Sequence, residues 1–226
     1  MPRLLLFDID GTLLWTQGAG REATRLAMIE VFGTEANIAA HQFGGKTDWQ
    51  TLVDQLCAFG FTAQDVERGM PAFHEAMARN LASIINDYQV EPCPGALALI
   101  QTLRQRDDVL LGLVTGNVKD AAAVKLRAAG FDPAWFPVGA YGHEALERDH
   151  LPAIALARAV EHYRIRLQPE DVLVIGDTPA DVSCARALGA AAIAVGTGFC
   201  ERAELIACNP NHYIDDLNAF LDILDS

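Results

Sequence analysis

Two aspartates stand two residues apart in Phe7-Asp8-Ile9-Asp10-Gly11-Thr12-Leu13, where the apolar run 4–9 gives way to a polar turn. Carboxylates this close repel each other. A divalent cation relieves that repulsion, and Mg²⁺ prefers such oxygen ligands. Gly11 frees the backbone for a sharp turn, and the Thr12 hydroxyl can orient an acid. A second acidic pair lies in Ile175-Gly176-Asp177-Thr178-Pro179-Ala180-Asp181. There Asp177 is expected to complete the metal site. Asp181, one helical turn on, either reaches the metal through water or holds a neighbour. The plainer reading of this stretch is a helix N-cap, with Thr178 as the capping residue. In Val114-Thr115-Gly116-Asn117, the Thr115 hydroxyl and the backbone N–H groups of Gly116 and Asn117 offer an anion site at a helix start.

The elements that must carry these residues are short apolar runs rich in Leu, Val and Ile. Residues 4–9, 109–114 and 172–175 end in the three motifs, and 190–195 ends in Gly-Thr-Gly. Continuous runs of this length suit strands buried on both faces of a parallel sheet. Helical patterns over 95–105, 118–129, 151–163 and 180–188 alternate with them, with Gly130 and Gly189 at C-cap positions. The predicted fold is therefore an α/β, doubly wound parallel sheet. Ligands of such sheets bind beyond the carboxyl ends of the strands, where all three motifs fall. Roughly 80 residues separate the first run from the rest, far more than an ordinary connection. With candidate helices over 20–32, 48–59 and 63–85, this stretch reads as an inserted all-helical cap domain, residues 15–93, on a core of 1–14 and 94–226. Gly18 and Gly20 are candidate hinge positions, and residues 215–226 are expected to form a closing helix.

A formal charge of −13 argues against a general nucleic-acid or membrane-surface binder, while leaving room for a small anionic ligand beside a metal. The five cysteines form no CxxC pair, which suits reduced thiols better than disulfides or zinc. The three tryptophans and six histidines lack metal-ligand spacing. No stretch approaches the roughly 20 apolar residues needed to span a bilayer. The apolar run near Met1 is too short for a secretory signal, so a cytoplasmic location is expected.

With the three strand-end motifs in this order, the chain resembles the haloacid dehalogenase-like superfamily, in its phosphoglycolate phosphatase-like branch with a helical cap. The resemblance spans nearly the whole chain. It implies a phosphatase acting on a small phosphorylated metabolite, with Asp8 as nucleophile, Asp10 as general acid and base, and Thr115 as phosphate ligand. Asp8, the Asp10 backbone carbonyl and Asp177 would hold Mg²⁺. The family also places a cation, usually a lysine followed by proline, between the second and third strand-end motifs. No lysine follows Lys125, and Arg148 has the right spacing. Related caps carry a basic residue in a glycine-rich turn, which points to Lys46 in Gly44-Gly45-Lys46-Thr47-Asp48 as a substrate contact. A haloacid dehalogenase would not need Asp10. A sugar phosphomutase shares every core residue, and a phosphonatase would need Lys46 as a Schiff-base lysine. A non-catalytic phosphate-binding domain would have little use for Asp10, Thr115 and Asp177 together.

Overall fold

The computed structural model describes residues 2–224. In chain order its elements are β1 (Arg3–Phe7), β2 (Leu14–Trp15), α1 (Ala19–Phe32), α2 (Asp48–Cys57), α3 (Ala63–Ile84) and β3 (Glu91–Pro92). Then follow α4 (Ala96–Leu103), β4 (Val109–Val114), α5 (Lys119–Ala128), β5 (Val138–Ala140), α6 (Leu151–Tyr163) and β6 (Val172–Gly176). The chain closes with α7 (Pro179–Leu188), β7 (Ala191–Val195), α8 (Arg202–Ala207), β8 (His212–Ile214) and α9 (Phe220–Leu224).

Six strands form one parallel sheet in the order β5-β4-β1-β6-β7-β8. The apolar runs go to its middle because both faces are covered. Leu5 and Phe7 of β1 belong to one core with α4 and α9, while Leu4 and Leu6 belong to the opposite core with α6 and α7. Strand alternation thus splits one sequence run between two layers of helices. The chain steps from β1 to β4 and β5 on one side, then crosses from β5 to β6 on the other, so a crevice opens at the tip of β1.

The strands that frame the long connection are β2 and β3, an antiparallel pair with Leu14 opposite Pro92 and Trp15 opposite Glu91. Helices α1, α2 and α3 between them share an apolar core of their own, which also takes in Val118 and Ala121 at the start of α5. The side chains of Thr62 and Asp65 form a reciprocal cap at the start of α3.

Several expectations needed correction. The first strand stops at Phe7 rather than residue 9, because the chain turns out of the sheet at Asp8, whose N–H still reaches the Ile175 carbonyl at 2.9 Å. The short strands β5 and β8 were not anticipated. The closing helix expected over 215–226 is one 3₁₀ turn, Leu217–Ala219, followed by the short α9, and residues 225–226 lie outside the described residues. The Asp216 carboxylate accepts the Asn218 N–H at 2.8 Å and so starts this segment as a turn.

Candidate active site

The β1 tip delivers Asp8 into the crevice, and the turn that follows is held in place from three sides. Gly11 has φ +87°, and a side chain there would strike the Asp177 carboxylate, so glycine is required for both reasons. Its N–H donates to the Leu14 carbonyl at 2.9 Å, and its own carbonyl accepts the Thr197 hydroxyl at 2.6 Å. The Thr12 hydroxyl donates to Asp177 Oδ1 at 2.9 Å and so orients an acid from a different strand.

Asp8, Asp177 and Asp181 are buried, and one oxygen of each lies within 4.8 Å of the others. Burial pushes the Asp8 carboxyl up to about 6, against the pull of Arg148 and with the push of Asp181 and Asp10. Burial, followed by the charges of Asp8 and Asp181, holds Asp177 well above the usual carboxylate range. Ionised carboxylates packed like this need compensating positive charge, and an all-oxygen donor set fits a hard divalent cation. Asp181, however, is already engaged: Oδ2 accepts the Thr178 N–H at 3.0 Å and the Thr178 hydroxyl at 2.7 Å, while Oδ1 accepts from Arg148. Its carboxylate caps α7 and holds a neighbour, which leaves Asp8 and Asp177 as the side chains freer to ligate.

Arg148 lies in a 3₁₀ turn ahead of α6, 7% exposed, with its Nη2 3.1 Å from Asp8 Oδ1. Burial opposes its charge, but the Asp181 and Asp8 carboxylates outweigh that cost. Its buried Nε–H has no hydrogen-bond partner among the described residues, an unusual state for a buried donor.

Thr115 is fully buried at the β4 tip, where its hydroxyl accepts the Asn117 side-chain amide at 2.8 Å. The same amide donates to Asp10 Oδ2 at 2.8 Å. The α5 N-terminus itself is not vacant. Asp48, from the helical segment, accepts the Val118 N–H at 2.8 Å, and the Asp48 N–H donates to the Gly116 carbonyl at 2.7 Å. An anion at the β4 tip therefore meets Thr115 and the Gly116 turn rather than the open end of a helix.

Lys46 lies on the loop that docks here, but its ammonium pairs with Asp54 at 2.7 Å and is 38% exposed. Its carbonyl packs so close to Gly116 that a side chain at 116 would clash with it. Two residues absent from the sequence-derived site complete the picture. Asp48 is one. Lys125, which donates to both Asp10 oxygens, is the other. The signal for Lys125 was its place on the inward, apolar side of a helix.

Asp8, Asp10, Thr115, Arg148, Asp177 and Lys46 all border one cavity of about 360 Å³ between the β-strand tips and the helical segment. Thr16, Thr24, Phe43 and Met77 line its far wall, and Phe199, 94% exposed, stands at its mouth. The site can hold a cation, present a carboxylate to a bound group, and neutralise an anion with Arg148. No helix among the described residues is long and apolar enough to cross a membrane.

The family model described as haloacid dehalogenase-like hydrolase matches residues 2–189. A phosphoglycolate phosphatase of Rhodospirillum rubrum is 27% identical, covering 88% of this chain and 81% of that protein. One from Haemophilus influenzae is 26% identical and covers 98% of each. Among solved structures, a hydrolase from Pseudomonas syringae superposes with a TM-score of 0.70 at 22% identity, over 99% of this chain and 98% of the other.

Proposed function

The chain belongs to the haloacid dehalogenase-like hydrolases, and from that premise we propose that it is a Mg²⁺-dependent phosphatase of small phosphate monoesters, with Asp8 as covalent nucleophile. The observation that carries this reading is the pairing of Asp8 with Arg148 at 3.1 Å on the wall of a cavity that Asp10 and Thr115 also border. A nucleophilic carboxylate beside a buried guanidinium is what an incoming phosphate dianion needs. The cation offsets anion–anion repulsion and stays in contact as charge develops.

Asp8 and Asp177, with the Asp10 backbone carbonyl, would hold the metal. A divalent cation held there would neutralise the carboxylates and polarise the phosphate oxygens. Asp8 attacks phosphorus in line and forms an aspartyl phosphate, while Asp10 gives a proton to the departing ester oxygen. Asp10 then takes a proton from the water that cleaves the aspartyl phosphate, which regenerates Asp8. Thr115 and Arg148 hold the phosphate oxygens throughout. In this reading residues 15–93 form a cap whose docked loop, Gly44 to Asp48, encloses the site. The cavity of about 360 Å³ suits a small leaving group. The ion pair between Lys46 and Asp54 ties up the charge a Schiff-base lysine would have to lose, so the reading makes no use of Lys46 as a nucleophile.

The test is phosphate release from a panel of metabolite phosphates, phosphoglycolate included, with Mg²⁺ present. Asp8→Asn should abolish turnover with an unchanged circular dichroism spectrum. Turnover near the wild-type rate in that variant would sink the assignment.

A further inference from the structure

Helix α5 turns Ala121, Ala122, Lys125 and Leu126 inward. That spacing calls for an apolar residue at 125, yet a lysine sits there with its side chain 5% exposed. A buried ammonium is costly unless every donor is paired. Lys125 meets that condition fully. It donates to Asp10 Oδ1 at 2.8 Å, to Asp10 Oδ2 at 2.6 Å and to Asn117 Oδ1 at 2.6 Å, which uses all three of its N–H bonds. Asn117 closes the loop by donating to Asp10 Oδ2 and to Thr115. Gly20 makes the space, since a side chain there would press on the Lys125 ammonium at 3.1 Å.

We infer that Lys125, acting with Asn117, is a positioning residue that locks the Asp10 carboxylate against the Thr115 side of the cavity. The inference rests on the phosphatase reading above. It assigns a second buried cation, distinct from the phosphate-facing Arg148, to the residue that serves the leaving group. Lys125 is not itself a substrate ligand, because its donors are already spent. Three fixed hydrogen bonds leave Asp10 one orientation, and small errors in the placement of an acid lower its rate steeply. Lys125 thereby also ties Asp10 to the β4 tip, so the phosphate ligand and the acid move as one unit.

The experiment compares wild type, Lys125→Met, Lys125→Arg and Asn117→Ala on two esters: p-nitrophenyl phosphate, whose leaving group needs no proton, and the best alkyl phosphate from the panel, whose leaving group does. In Lys125→Met, kcat on the alkyl ester should fall about 100-fold, the scale of general acid catalysis, against about threefold on the aryl ester, with KM within about twofold on both. Lys125→Arg should recover part of the alkyl rate, and Asn117→Ala should shift the ratio in the same direction. Equal losses on both esters would overturn the inference. A rise in KM at constant kcat would also overturn it, since that marks a direct substrate contact. Should Lys125→Met fail to fold, the ester ratios of the other two variants decide. A wild-type chain inactive on every ester, or an active Asp8→Asn, rejects the phosphatase reading and this inference with it. An Asp8-dependent enzyme with unchanged ester ratios rejects only the role of Lys125.

Discussion

The Asp48 carboxylate, buried in the helical segment, accepts the Val118 N–H at the start of α5 at 2.8 Å. A side chain from one half of the molecule thus occupies the end of a helix in the other. Two backbone bonds flank it, from the Asp48 N–H to the Gly116 carbonyl and from the Trp49 N–H to the Gly142 carbonyl. The loop is docked by main-chain geometry that a change of side chain alone does not erase.

Burial raises the Asp48 carboxyl to about 6 from an ordinary 3.8, against the opposing effects of the Val118 hydrogen bond and Lys125. Between those values the folded chain holds a proton that the unfolded chain has lost, so stability falls as pH rises through this window and the loss is complete above it. Asp48→Asn keeps an oxygen for Val118 and removes the charge. It should stabilise the protein by about 1–3 kcal/mol at pH 7, from a shift of roughly two units, and by nothing near pH 3. Thermal melts of both proteins across this range check it, and parallel curves would contradict the buried charge.

Gly116→Ala tests the docking from the other side. The added methyl would meet the Lys46 carbonyl, which is backbone and cannot swing away. Overpacking of this kind costs about 1–3 kcal/mol. The melting temperature should fall, and amide hydrogens at Asp48 and Val118 should exchange faster. Unchanged exchange at both would show that the loop is held elsewhere.

Arg148→Met removes the positive charge that Asp8 and Asp181 share. Breaking a buried pair by deleting one partner typically costs about 3–5 kcal/mol. Loss of that attraction also pushes the Asp8 carboxyl of the metal-free protein further up from about 6. Its titration, read by carbon NMR of the metal-free protein, should therefore move to higher pH, and kcat/KM with Mg²⁺ should fall. An Asp8 titration at its wild-type position, with only kcat/KM lowered, would assign Arg148 to phosphate binding alone.

Much of this site was legible because burial on two faces leaves a plain trace. Strands β1, β4 and β6 read as apolar runs, and Asp8, Thr115 and Asp177 stand at their ends. Strands β5 and β8 left no such trace, being three residues each and defined by the neighbour they pair with rather than by periodicity. Asp181 fits two roles equally well on spacing, and only its bonds to Thr178 and Arg148 show the cap. Lys46 carried the right charge in the right turn, but Asp54, in the second turn of the following helix and beyond any motif, takes its ammonium. Lys125 was legible in principle, as a charge on an apolar helical stripe. Its partner, Asp10, lies 115 residues away in sequence, a separation that no local pattern spans.

The metal site gives a prediction that needs no turnover. Asp8 and Asp177 are buried, burial opposes the ionisation of both, and the Asp8 charge adds to the cost at Asp177. A divalent cation bound only by the folded chain should therefore raise its stability, by about 2.7 kcal/mol when present at 100 times its dissociation constant. Wild-type melts should rise with Mg²⁺ at pH 7 and return to baseline with chelator. Asp177→Asn removes one ligand charge but keeps an oxygen for the Thr12 hydroxyl. Without metal this variant should melt at or above the wild-type temperature, because a costly buried carboxyl is gone. With Mg²⁺ it should gain little. A Mg²⁺-induced rise of equal size in both proteins would place the cation away from Asp177.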